Sequence, residues 1–202
     1  ALPEGAAPRK DGQGPYDRLV IRGATMIDGS GAPPFGPVDI VVEGNRITAI
    51  KAVGAPGLPV DESKRPAKGT REIDATGKFV LPGFINLHGH IHSYGTGQDV
   101  PPDYIFKLWL MHGVTTVREV GNDKGAAFSV DLKRASARNE IDAPRLYIYP
   151  FFGSFGSEEV NTPDAARRQI RAFKSAGADG VKFFSGPAEI LAAAFDEARR
   201  QN

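Results

Sequence analysis

Residues 17–28 alternate between apolar and polar positions as a β-strand does, with Leu19 and Ile21 on one face, Val20 and Arg22 on the other, then Ala24 and Met26. A turn cluster follows at Asp28-Gly29-Ser30-Gly31, and Pro33-Pro34 extends the loop. Val38 to Val42 and Ile47 to Val53 read as two further strands. Between them Glu43-Gly44-Asn45-Arg46 is a hairpin signal, because Gly44 and Asn45 tolerate positive φ. Residues 54–69 mix prolines with charges of both signs and read as a solvated surface loop. Arg71 to Asp74 and Lys78 to Leu81 are short strands around a turn at Thr76-Gly77. The pattern predicts a small antiparallel β module over residues 16–83, an incomplete β-sandwich whose remaining strands a partner piece would supply. Residues 1–15, rich in Ala, Pro and Gly, read as a flexible leader before it.

From Phe84 the rhythm becomes strand, loop, helix. Pro102 to Met111 is a helix with Ile105, Leu108 and Trp109 on one side, and Val114 to Val120 is a β-branched strand. Phe128 to Arg138 is a helix and Arg145 to Phe152 an aromatic-rich strand. Thr162-Pro163-Asp164 marks a helix start: an N-cap hydroxyl, a proline at the first helical position and an acid at the positive end of the dipole. Ala166, Ile170 and Phe173 continue that helix at three- and four-residue spacing, and Gly177 ends it. Gly180 to Phe184 is a strand and Ala188 to Arg199 a last helix. Strands alternating with helices predict an α/β fold with a parallel sheet, and the rhythm fits an open doubly wound sheet as well as a barrel.

Composition narrows the function classes. A hydrophobic fraction of 41% is that of an ordinary globular chain. A net charge of +1 with interspersed signs argues against a dedicated nucleic-acid binder. No apolar run is long enough to span a bilayer, so no membrane partner is expected. The absence of cysteine removes disulfides, thiolate metal sites and cysteine nucleophiles. A transition-metal site would have to use His, Asp, Glu or a modified Lys. The mobile leader and the lack of cysteine are compatible with a periplasmic or secreted protein, with a cytoplasmic location also open.

The chemistry centres on Leu81-Pro82-Gly83-Phe84-Ile85-Asn86-Leu87-His88-Gly89-His90. His88 and His90 fall on the same face of a strand, together with Asn86. Two imidazoles so placed at a strand end can grip one divalent metal, since neutral imidazole suits zinc, iron and nickel. An isolated His-x-His is also what a strand fraying into a loop looks like.

That stretch resembles the metal-binding signature of the amidohydrolase superfamily at the first strand of its barrel. Three more stretches are similar to its imidazolonepropionase-like branch, which includes metal-dependent dipeptidases: Leu19 to Gly31, Gly113 to Gly121 and Gly177 to Phe184. The likeness runs in order from about residue 17 to the chain end. Asn86 and Glu119 depart from the family pattern, which usually has an acidic residue at the first position and Asp at the second, and residues 54–69 read as an insertion. The resemblance implies the first half of a (β/α)8 TIM-type barrel over residues 84–202, comprising four β/α units. A full barrel takes about 250 residues, so the resemblance also implies that the remaining strands lie on a C-terminal half of the same protein.

The resemblance further implies that His88 and His90 bind one or two divalent ions, most simply zinc. It makes Lys182 the residue that carbon dioxide converts to a carbamate bridging two metals. The reaction implied is hydrolysis of a C–N amide bond, in a dipeptide or N-acyl amino acid, by metal-activated hydroxide. The remaining ligands and the general base would lie beyond Asn202, so the chain by itself would lack a complete site. Two alternatives stand beside this reading: a non-catalytic half-barrel with a vestigial site, and a cyclic-amide hydrolase or deaminase. His92 and Tyr94 are candidates for substrate contact, though either could be an ordinary loop residue. Arg118 and Glu119 end the second barrel strand, where one could enter the site or the two could form a structural pair. Phe151, Phe152 and Phe155 could line an apolar pocket or belong to the core. Assembly into a homo-oligomer is open.

Overall fold

A computed structural model describes residues 14–91, 100–153 and 159–201. Residues 1–13 of the leader, His92, Tyr94 and Phe155 lie outside the described residues. The chain divides into two compact units, with the division along the chain between Pro82 and Gly83.

The N-terminal unit is built on strands β1 (Arg18–Met26), β2 (Phe35–Glu43), β3 (Arg46–Ala52), β4 (Arg71–Asp74) and β5 (Phe79–Val80). They form one sheet in the order β3-β2-β1-β4, with β5 also paired to β1. The β2–β3 hairpin turns where expected, with Gly44 at φ +57°. The sheet is mixed rather than antiparallel: β1 pairs antiparallel with β2 but parallel with β4 and β5. A second sheet facing it, which a sandwich needs, is not among the described residues.

The reason for the mixed pairing lies in residues 53–70. After the β1-β2-β3 meander the chain runs parallel to β1, and this segment carries it back to the starting end so that β4 enters in the same direction. Parallel neighbours require a crossover of that length. The segment is therefore a structural connection more than a solvated insertion, and buried Asp39 holds it down. Asp39 accepts from the Gly23 backbone N–H at 2.8 Å, from Arg22 at 2.9 Å and from Arg65 at 3.3 Å. Arg22 also donates to the Pro66 carbonyl at 3.0 Å. A buried carboxylate is tolerated there because two guanidinium groups and a backbone N–H satisfy it. Ala24, Val38, Ile40 and Ala75 form the apolar core of this unit.

The C-terminal unit follows the strand–helix rhythm: β6 (Phe84–Gly89), α1 (Pro102–Met111), β7 (Val114–Glu119), α2 (Gly125–Ala137), β8 (Arg145–Ile148), α3 (Pro163–Ala176) and α4 (Ala188–Arg200). The three strands are parallel, in the order β6-β7-β8. The predicted fourth strand at 180–184 is reduced to a single parallel bridge between Lys182 and Phe151. Two backbone bonds make it, Lys182 N–H to Pro150 O and Phe152 N–H to Lys182 O, each 2.9 Å. A segment paired on one side only has half the ladder to hold it extended.

Helix α3 starts as its sequence dictates: the Thr162 hydroxyl accepts from the Ala165 N–H, and Gly177 leaves the helix at φ +103°. Ile91, Phe106, Val117, Val130, Leu132, Leu146 and Ile148 pack between the sheet and helices α1 and α2. Helices α3 and α4 close a second cluster around Ala166, Ile170, Ile190, Ala193 and Ala194. In contrast Phe84, Ile85 and Leu87 on β6 are exposed, the last two by 62% and 60%, as is Phe184 at 63%.

Candidate active site

Gly89 explains why the two histidines face as they do. A Cβ there would lie 2.7 Å from Val117 Cγ1 and 2.9 Å from Trp109 Cζ2, so only glycine lets β6 close onto this layer. With residue 89 turned to the helix side, strand alternation puts His88 and His90 on the other face. Their ring centroids are 5.4 Å apart at 66°. His88 is exposed and His90 half-buried. The Asn86 side-chain oxygen Oδ1 accepts from the His88 backbone N–H at 3.0 Å, so this side chain braces the strand.

His90 Nδ1 lies 2.6 Å from the Gly121 carbonyl oxygen. A carbonyl only accepts, so this bond places a proton on Nδ1, and in the neutral ring the lone pair is then at Nε2. This is the arrangement in which a second partner fixes the tautomer and orientation of a metal-binding histidine.

Lys182 is reached through aromatic rings. Its Nζ sits 5.4 Å from the Phe184 ring centroid, Phe184 meets Phe151 at 5.1 Å, and Phe151 meets His90 at 6.3 Å. Val181 and Phe183 pack instead against the α3–α4 cluster, leaving Lys182 and Phe184 on the opposite face. Phe152 belongs with them, its ring 4.7 Å from Phe183, whereas buried Phe151 lies toward His90.

Arg118 and Glu119 do not form a pair, because adjacent strand residues point to opposite faces. Arg118 donates from Nε to the Leu87 carbonyl at 2.7 Å and lies over Tyr149, 5.5 Å from its centroid. Glu119 points to the helix side and is fully buried. Its Oε1 accepts from Asn122 Nδ2 at 3.0 Å, and Asn122 Nδ2 also reaches Ser129 Oγ on α2 at 2.6 Å. Glu119 Oε2 makes no close hydrogen bond among the described residues. Burial pushes this carboxyl up to about 7, against the lowering effect of Asn122, the Gly121 N–H and Ser129. Asn122 and Ser129 carried no sequence signal, since their role depends on a loop folding back over a helix. His112, which closes α1, is occupied by the Leu108 carbonyl at 2.7 Å.

The donor set can be tested against the metal that the signature implies. With metal–nitrogen bonds of about 2.0–2.1 Å, two imidazoles sharing one tetrahedral ion have centroids about 5 Å apart, which the His88–His90 pair matches. Among the described residues no cluster of three or more His, Asp or Glu side chains suited to a metal ion occurs. The described residues therefore fit a two-imidazole contribution, not a closed coordination shell.

No protein-family model matches the chain. An N-acyl-D-aspartate deacylase of Alcaligenes xylosoxydans xylosoxydans is 37% identical over 151 residues, covering 73% of this chain and 26% of the relative. An imidazolonepropionase of Porphyromonas gingivalis is 30% identical over 108 residues, 54% of this chain and 23% of the relative. A dihydroorotase of a Thermoanaerobacter species is 36% identical over 78 residues, 39% of this chain and 15% of the relative. Among solved structures, a prolidase complexed with N-methylphosphonate-L-proline superposes with a TM-score of 0.71 at 19% identity, over 91% of this chain and 54% of that one. A Xaa-Pro dipeptidase with bound methionine gives 0.62 at 22% identity, over 91% and 54%. The chain thus spans about half the length of these structures and about a quarter of the deacylase.

Proposed function

The chain belongs to the amidohydrolase superfamily, and from that premise we propose that it is the part of a metal-dependent hydrolase that contributes the first two metal ligands. The reaction is hydrolysis of a C–N amide bond in an N-acyl amino acid or a dipeptide. His88 on β6 and His90 just beyond its end are the ligands, and His90 offers Nε2 because its Nδ1–H is committed to Gly121. The observation carrying the reading is the pairing of the two rings at a centroid spacing of 5.4 Å, with His90 Nδ1 turned to the Gly121 carbonyl.

A divalent ion bound there, zinc being the simplest choice, supplies a Lewis acid that makes hydroxide available near neutral pH and polarises the substrate carbonyl. Lys182 would serve as a carbamate, formed when its neutral amine adds to carbon dioxide and loses a proton, and would give the site an anion with two oxygen donors. Phe151 and Phe184 link His90 to Lys182 through successive ring contacts. The remaining ligands and the general base come from a C-terminal half of the same protein. The similarity to an N-acyl-D-aspartate deacylase supports the acyl amino acid substrate, and the fold shared with prolidases supports the dipeptide. The similarity to dihydroorotase supports a second reading, a cyclic amide opened by the same chemistry.

The test uses the whole protein containing this chain. Elemental analysis should find one or two divalent ions per molecule. His88→Ala and His90→Ala should each lower metal content and cut amide hydrolysis at least a hundredfold. Protein free of divalent metal, with hydrolysis indifferent to chelator, would sink the proposal. Preference among N-acyl amino acids, dipeptides and cyclic amides separates the two substrate readings.

A further inference from the structure

The turn after β7 holds more polar side chains out of water than a strand–helix connection needs. Glu119 is fully buried between the sheet and α2, and one of its carboxyl oxygens is unpartnered among the described residues. Such a group costs stability unless something else is gained. Its bonded oxygen takes one N–H of Asn122, the Asn122 amide also reaches Ser129, and Asn122 Oδ1 accepts from the Lys124 N–H at 2.9 Å. Three bonds leave that amide a single orientation. Upstream, Val120 N–H is tied to Gly89 O at 3.0 Å and Tyr149 N–H to Glu119 O at 2.8 Å. Gly121 sits between these anchors at φ +101°, with Phe151 so close that a Cβ would lie 2.4 Å from its Cδ1. The direction of the Gly121 carbonyl is thereby set from both sides, and it is this carbonyl that meets His90 Nδ1.

We propose that Glu119 and Asn122 are positioning residues that lock the Gly121 carbonyl onto His90 Nδ1, so that His90 is held in the Nδ1–H tautomer with Nε2 facing the site. The assignment deepens the reading of His90 as a metal ligand and rests on it for its functional meaning. Neither side chain touches the metal or the substrate. They act one step back, through a backbone carbonyl whose free rotation would let the imidazole take either tautomer. Loss of such an outer partner typically weakens metal binding about ten- to a hundredfold.

The ring nitrogens of His90 in the 202-residue chain can be read directly by long-range ¹H–¹⁵N NMR without metal. The native chain should show the Nδ1–H tautomer alone. Glu119→Ala and Asn122→Ala should each yield a mixture of tautomers, and Glu119→Gln, which keeps the acceptor for Asn122, should restore the native spectrum. Cobalt(II) titration, with cobalt as the only added ion, should follow the same order, with affinity about tenfold or more weaker in the two alanine variants. Thermal melting identifies variants that have simply unfolded. If those two do not fold, the native chain and Glu119→Gln still decide, because an Nε2–H tautomer in the native chain overturns the proposal. A pure Nδ1–H tautomer in a folded Asn122→Ala or Glu119→Ala protein overturns it equally. A tautomer shift with no cobalt bound by any variant upholds the positioning of His90 and counts against the metal reading alone.

Discussion

Glu119 shows how one side chain makes stability depend on pH. Its carboxyl is raised from 4.5 to about 7 by burial. A group raised in the folded state stabilises fully below its unfolded value, and that contribution is lost as pH climbs through the folded value. The window therefore runs from about pH 4.5 to just above 7. A shift of that size corresponds to about 3 kcal/mol. The native chain should have a lower urea midpoint at pH 8 than at pH 5, and Glu119→Gln should remove most of the difference. Equal pH dependence in both proteins would show that the carboxyl ionises freely in the fold.

Two residues that flank helices make a contrast at the level of elements. Thr162 caps α3 through one hydrogen bond to the Ala165 N–H, so Thr162→Ala should cost about 1 kcal/mol. Gly121, between β7 and α2, has a left-handed backbone and no room beside Phe151. Gly121→Ala adds backbone strain to overpacking and should cost about 2–4 kcal/mol. Denaturant unfolding of the two variants should rank them in that order. A cap variant that proves the more damaging would mean that the β7–α2 turn yields easily, which its several anchors argue against.

For the molecule as a whole, the telling feature is apolar surface beside an open ladder. Among the described residues β6 pairs only with β7, and Ile85 and Leu87 lie largely in solvent. An unpaired strand edge with exposed apolar side chains invites association. The chain by itself should self-associate with rising concentration in light scattering, and Leu87→Lys should reduce this. A monomer at every concentration would mean that the edge is protected. The C-terminal half that we propose as partner would cover this same surface.

Much of the architecture could be read from the residues in order. Alternation located most of the strands, the Thr162-Pro163-Asp164 signal placed the start of α3, Gly177 placed its end, and the His-x-His pair fell at a strand end. These are local properties: a side-chain period, a cap or a turn is settled by residues a few positions apart. The parallel entry of β4 and β5, the reduction of residues 180–184 to one bridge and the parting of Arg118 from Glu119 were not legible, because each depends on which distant segment lies alongside. The tautomer of His90 belongs with them. Two histidines in a row of letters say only that a metal could be held. Which nitrogen of His90 is bonded within the fold follows from a carbonyl 31 residues away, and only the folded chain brings that carbonyl to the ring.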